Sequence, residues 1–135
     1  MSRVFAVVLL LLLQSCGQKA DFSRAALPIG NVDLPQPKTE VAEPFQVSGW
    51  AAAHEPLLAA AIYIDSQFVT AVPVAIARPD VAAAKPEYKN AVNSGFGVMI
   101  DPATLAPGWH EIVVQARTAS GAVRDLATVP ILVRR

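Results

Sequence analysis

Prolines punctuate this chain from Pro28 to Pro130, and they decide what it can fold into. Proline lacks the N–H that a helix interior or a sheet ladder needs. Eleven prolines against seven glycines therefore point to loops, strand edges and extended connections rather than long helices. Between the prolines the residues alternate. His110, Ile112, Val114 and Ala116 share one face of a strand, while Glu111, Gln115 and Arg117 share the other. Phe96, Val98 and Ile100 repeat the pattern, as do Ala60, Ile62 and Ile64, with Tyr63 on the opposite face. Residues 45–50 alternate into Gly49-Trp50, and 123–133 form a last strand in which Pro130 marks an edge or a bulge.

Turns separate these runs. Asp65-Ser66 is a two-residue polar turn, which signals a hairpin into a strand over 68–76 that Pro73 interrupts. Asp80 is placed to cap a short helix through 81–84, which Pro86 ends. Residues 90–95 form a polar loop. Asp101-Pro102, Pro107-Gly108 and Ser120-Gly121 are further turns, and Leu105 is placed to plug the core. Short strands with regularly spaced turns predict an all-β antiparallel sandwich over 45–135, with one short helical insert. The chain holds a single cysteine, Cys16, so no internal disulfide can brace the two sheets and apolar packing must do so.

The first residues have another purpose. Met1-Ser2-Arg3 carries one positive charge, residues 4–13 are apolar, and the chain turns polar after Cys16. This is the pattern of a secretory signal over 1–15, too short for a spanning helix of ~20 residues. Leu13-Gln14-Ser15-Cys16 resembles the lipobox of bacterial lipoproteins. Gln14 departs from the small or β-branched residue usual there. The resemblance implies that Cys16 receives acyl chains and becomes the new N-terminus. The bland alternative is a plain secretory signal. Gly17, rather than aspartate, follows the cysteine, which by the family's rules implies a lipid-anchored cell-envelope protein of the outer membrane. Residues 16–44 read as the lipidated start and a tether, because Pro28, Pro35, Pro37 and Pro44 alternate with polar residues. Leu27, Ile29, Val32 and Leu34 leave a second reading open, a first strand laid on the domain's edge.

A second resemblance rests on several fragments in order: Val47-Ser48-Gly49-Trp50-Ala51, Ile62-Tyr63-Ile64-Asp65, Arg78-Pro79-Asp80-Val81, Gly95-Phe96 and Leu105-Ala106-Pro107-Gly108-Trp109-His110. Together they are similar to a bacterial immunoglobulin-like family whose modules occur in secreted or envelope proteins, often beside glycan-active domains. The match covers 45–133, with Ser66 in place of the usual hairpin glycine. It implies an immunoglobulin-like sandwich and a compartment, with Arg78 and Asp80 as a structural motif.

Little in the chain points to catalysis. The 135 residues carry 11 basic and 11 acidic side chains without runs of one sign, so no footprint for nucleic acid exists. Removing 15 signal residues leaves 120, one domain and its tether, with 10 basic against 11 acidic groups. Gly-x-Ser-x-Gly, His-Glu-x-x-His and phosphate-cradling loops are missing. His54-Glu55 and His110-Glu111 would offer zinc two nitrogens and two oxygens if they converged. Strand neighbours point to opposite faces, so an inward His110 bonded to backbone and a loop His54 are favoured. Asp65, Asp80 and Asp101 lack the spacing of a calcium loop. No cofactor, metal or catalytic residue is expected, and the protein is read as a non-enzymatic binding or support module, with a small hydrolase or metal enzyme as the last of the alternatives. Trp50, Tyr63 and Trp109 are the candidate ligand-binding residues, for an envelope protein or a polysaccharide. Their bland readings are core packing for Trp50 and a loop-capping contact for Trp109.

Overall fold

The structure, a computed structural model, describes residues 27–135; the expected signal and Cys16 lie outside the described residues. Two sheets stack face to face. One has three antiparallel strands in the order β1 (Ile29–Leu34), β3 (Phe45–Ala52), β6 (Gly95–Ile100). The other has five, in the order β2 (Thr39–Val41), β8 (Val123–Val133), β7 (Gly108–Thr118), β4 (Leu57–Ile64), β5 (Gln67–Val72). All neighbours pair antiparallel except the short β2, which runs parallel to β8. Among the described residues one helix, α1 (Pro79–Ala84), and two single 3-10 turns occupy the connections.

Alternation positions the core. Val47 and Phe96 from the smaller sheet meet Ile62, Ile112, Val114 and Ile131 from the larger one, all fully buried. Each such side chain contributes about 1.5–3 kcal/mol on burial. Gly49 lets β1 lie close to β3: a Cβ there would sit 2.0 Å from the Asn31 carbonyl oxygen and 3.0 Å from the Phe96 ring.

The folded unit begins before position 45. Residues 29–41, expected within the tether, form β1 and β2, so the strand reading of Ile29, Val32 and Leu34 is the one observed. Pro73 does more than interrupt a strand. β5 stops at Val72, and Ile76 then bridges to Gly95 in the opposite sheet, so the chain changes sheets at the proline. Pro130 lies where β8 borders the start of β2. Its carbonyl accepts from the Lys38 N–H at 2.7 Å, so its missing donor faces the side where β2 has not yet begun. The Asp65-Ser66 turn places both residues at positive φ, 50° and 66°, the left-handed pair of a tight hairpin, and serine takes the place glycine usually fills.

Two substitutions test this packing. Phe96→Ala should lower unfolding free energy by about 3–5 kcal/mol, because a fully buried ring is lost from the sheet interface. Gly49→Ala should lower it by about 1–3 kcal/mol through overpacking against β1. Urea denaturation followed by tryptophan fluorescence measures both.

Candidate functional site

Three constellations of polar and aromatic side chains stand on this frame. The first surrounds Arg78. Its Nε and Nη2 donate to the two carboxylate oxygens of Asp80 at 2.9 and 2.8 Å, a planar fork on a planar acceptor. Its Nη1 donates to Asp33 Oδ2 at 2.8 Å. Asp33 belongs to β1, whereas residues 76–78 run beside β6, so the side chain spans the outer face of the whole three-stranded sheet. Gly95 leaves it room, since a Cβ there would meet Arg78 Cγ at 3.0 Å. The N-cap position of α1 is Arg78 itself, without a side-chain cap. Asp80 sits inside the first turn and bonds back to Arg78, so the capping role expected of it is not what it performs. The Arg78 fork holds the Asp80 carboxyl down at about 2, and its partners raise the guanidinium further above its ordinary value. The motif is an electrostatic strap.

The second constellation holds the β4–β5 turn. Asp65 accepts from the Glu111 backbone N–H at 2.9 Å and contacts His110 Nδ1 at 2.5 Å. His110 Nε2 faces the Ala106 carbonyl at 2.6 Å. Both ring nitrogens thus face acceptors, and only the doubly protonated imidazolium donates to both. The Ala106 bond and then Asp65 raise the His110 pKa above its ordinary 6.5, while the Glu111 N–H and then His110 lower that of Asp65 from 3.8.

These contacts dispose of the zinc arrangement. His110 is bound at the Asp65 end of β4; His54 precedes the other end and stacks on Tyr88, with centroids 4.2 Å apart. Eight strand residues separate those ends by about 26 Å. Among the described residues no three His, Cys, Asp or Glu side chains group to hold a metal ion. Asp101 accepts from Ala103 N at 2.9 Å at the head of a 3-10 turn.

The third constellation is aromatic. Trp109 is 60% exposed on the outer face of the five-stranded sheet. Tyr63, half-buried, points out from the same face. Trp50 does not join them: Val47, Gly49 and Ala51 point into the core, so Trp50 lies half-buried on the outer side of the other sheet, between Asn31 and Gly95. The expected trio is therefore split, and Trp50 is not a core residue either. Phe68 takes the vacant place. It is 59% exposed and meets Tyr63 edge-on, with centroids 5.7 Å apart at 72°. Strict alternation puts Phe68 on the face of Thr70 and Val72, but the register shifts at Val69, so Phe68 opposes Tyr63 and turns outward. Beside them Arg117 Nη2 donates to the Tyr63 hydroxyl, and Arg117 Nε donates to Gln115 Oε1 at 3.2 Å. Gln115 Nε2 donates to Asp125 Oδ1 at 3.0 Å. Gln115 and Arg117 share a face by spacing alone; the contact of Arg117 with Tyr63 needs the pairing of β4 with β7.

No family model matches the chain, and no curated protein matches it. Solved structures do. An endo-β-1,4-mannanase from Thermotoga petrophila superposes on 80% of this chain with a TM-score of 0.57 at 11% identity. The fibronectin(III)-like modules of Clostridium thermocellum CbhA superpose on 81% with a TM-score of 0.51 at 14% identity. The chain spans 20% and 47% of those proteins' lengths. The fold is an immunoglobulin-like β-sandwich. At such identities the likeness concerns the fold alone.

Two outcomes follow from the polar constellations. Arg78→Ala should raise amide exchange in residues 75–94 and in β1 by roughly tenfold, as it frees both ends of the strap. For His110 the folded pKa is raised, so its contribution is complete below its ordinary 6.5 and is lost as pH rises through the folded value. For Asp65 the folded pKa is lowered, so its contribution is complete above 3.8 and is lost on acidification. Thermal melts should show a plateau from about pH 4 to 6.5 and a decline above it. His110→Gln should flatten the alkaline limb.

Proposed function

We propose that this protein is a non-catalytic binding module of the cell envelope, held at a membrane by acyl chains on Cys16 and presenting its five-stranded face to a partner. The single observation that carries the binding reading is the exposure of Trp109 and Phe68, 60% and 59%, on the sheet face that also carries Tyr63. Large aromatics held in water on a rigid sheet are the usual anchors of recognition. The anchoring reading is supported by the apolar run before Cys16 and by the position of that lone cysteine. Acyl chains contribute ~0.8 kcal/mol per buried methylene, enough for two or more to hold a protein on a bilayer. β1 and β2 take residues 29–41 out of the spacer.

The partner of such a module is a second envelope protein, or the module serves as passive support. A second reading, a glycan ligand, is favoured by the sharing of one face by Tyr63 and Trp109 together with hydrogen-bonding groups between the strands. The likeness to carbohydrate-active and fibronectin-like proteins is compatible with either.

Fractionation tests the anchor. The native chain should sediment with membranes and incorporate labelled fatty acid, and Cys16→Ser should abolish both. Labelling that persists in Cys16→Ser, or a native chain that is soluble and unlabelled, would overturn it. Trp109→Ala and Phe68→Ala should each weaken partner capture in intact-cell crosslinking by about tenfold or more without changing the melting temperature.

A further inference from the structure

We propose that Tyr63, Phe68, Arg117 and Gln115 form a subsite for a neutral carbohydrate chain that extends along β7 toward Trp109. The proposal rests on the binding-module reading and names its ligand class.

The hydrogen-bond chain is the first argument. Arg117 donates to Tyr63 and Gln115, and Gln115 donates to Asp125, so four side chains from three strands are held before any ligand arrives. Holding them in advance removes the ordering that a ligand would otherwise impose. The bonds also leave capacity. Tyr63 accepts from Arg117, so its own hydroxyl proton remains to be donated outward. Asp125, exposed, uses Oδ1 and keeps Oδ2 as an acceptor. A sugar hydroxyl is donor and acceptor at once, and this surface offers both.

Charge narrows the class. The positive Arg117 is joined through Gln115 to the negative Asp125, and exposed Glu111 lies on the same face. No net positive field remains to attract an anionic polymer. Glu111 also stands on β7 between Trp109 and Val113, the residue paired with Tyr63. At that place its carboxylate offers sugar hydroxyls a further acceptor.

Shape supplies the third argument. Phe68 and Tyr63 stand at 72°, so a pyranose ring can lay its C–H face on one ring against the edge of the other. Trp109 lies four residues along β7 from Val113, about 13 Å, which suits an extended chain rather than a single sugar.

The test uses the full chain in a polyoxyethylene detergent, which carries no sugar, and insoluble neutral β-glucan, neutral mannan and polygalacturonate as probes. The native chain should be retained by at least one neutral polysaccharide and not by the acidic one. Tyr63→Phe keeps the ring and removes the hydroxyl; it should weaken retention by several-fold to about tenfold. Phe68→Ala should weaken it at least as much, and Trp50→Phe, on the other sheet, should not change it. Melting temperatures close to the native value show that the variants are folded. No retention on either neutral polymer, retention on polygalacturonate alone, or retention insensitive to Tyr63→Phe and Phe68→Ala would overturn the proposal. A protein crosslinked to this face in cells, with no glycan retained, would overturn the ligand class and leave the binding module standing.

Discussion

Phe96 and Val47 pressed against Ile62, Ile112, Val114 and Ile131 hold the two sheets together, and everything else depends on that contact. The single cysteine excludes a covalent brace, so the sheets stay stacked only while those side chains stay out of water. The contact is area-limited and non-directional, which explains why the chain adds directional ties around it. Arg78 fastens the crossing segment to β1 from outside the smaller sheet. His110 and Asp65 fasten the β4–β5 turn to β7 at the end of the larger one.

These ties explain features that look unfavourable in isolation. Asp65 and Ser66 both adopt the left-handed conformation, which side chains resist, and Asp65 is held there by the Glu111 backbone N–H and the His110 ring. Gly95 is a poor strand former, yet a side chain at that position would run into Ile76, its backbone carbonyl included, and into Arg78. Each local loss is matched by a contact to a distant segment, and neither makes sense without the other.

The same logic separates the two outer faces. On the three-stranded sheet the space over Gly95, the strand partner of Trp50, is filled by Ile76 and by Arg78 of the strap. On the five-stranded sheet Tyr63, Phe68 and Trp109 face water, with Arg117, Gln115 and Asp125 joined on the side of Tyr63 away from Trp109.

Period-two alternation was legible in the residues themselves, and with it the strands, their inward faces, the turns at Asp65 and Asp101 and the outward direction of Tyr63. Alternation is a local property, carried by the geometry of one extended chain. Whether residues 29–41 hang free or join the sheets was not legible, because proline-rich polar sequence is compatible with a spacer and with an edge strand alike. Nor was the turning of Phe68, since the register shift at Val69 arises only when β5 meets β4. Asp33 became the partner of Arg78 through a pairing of segments 45 residues apart. The sequence by itself determined which way each strand faces; only the tertiary structure decided which faces meet, because pairing and register are set between strands and not within them.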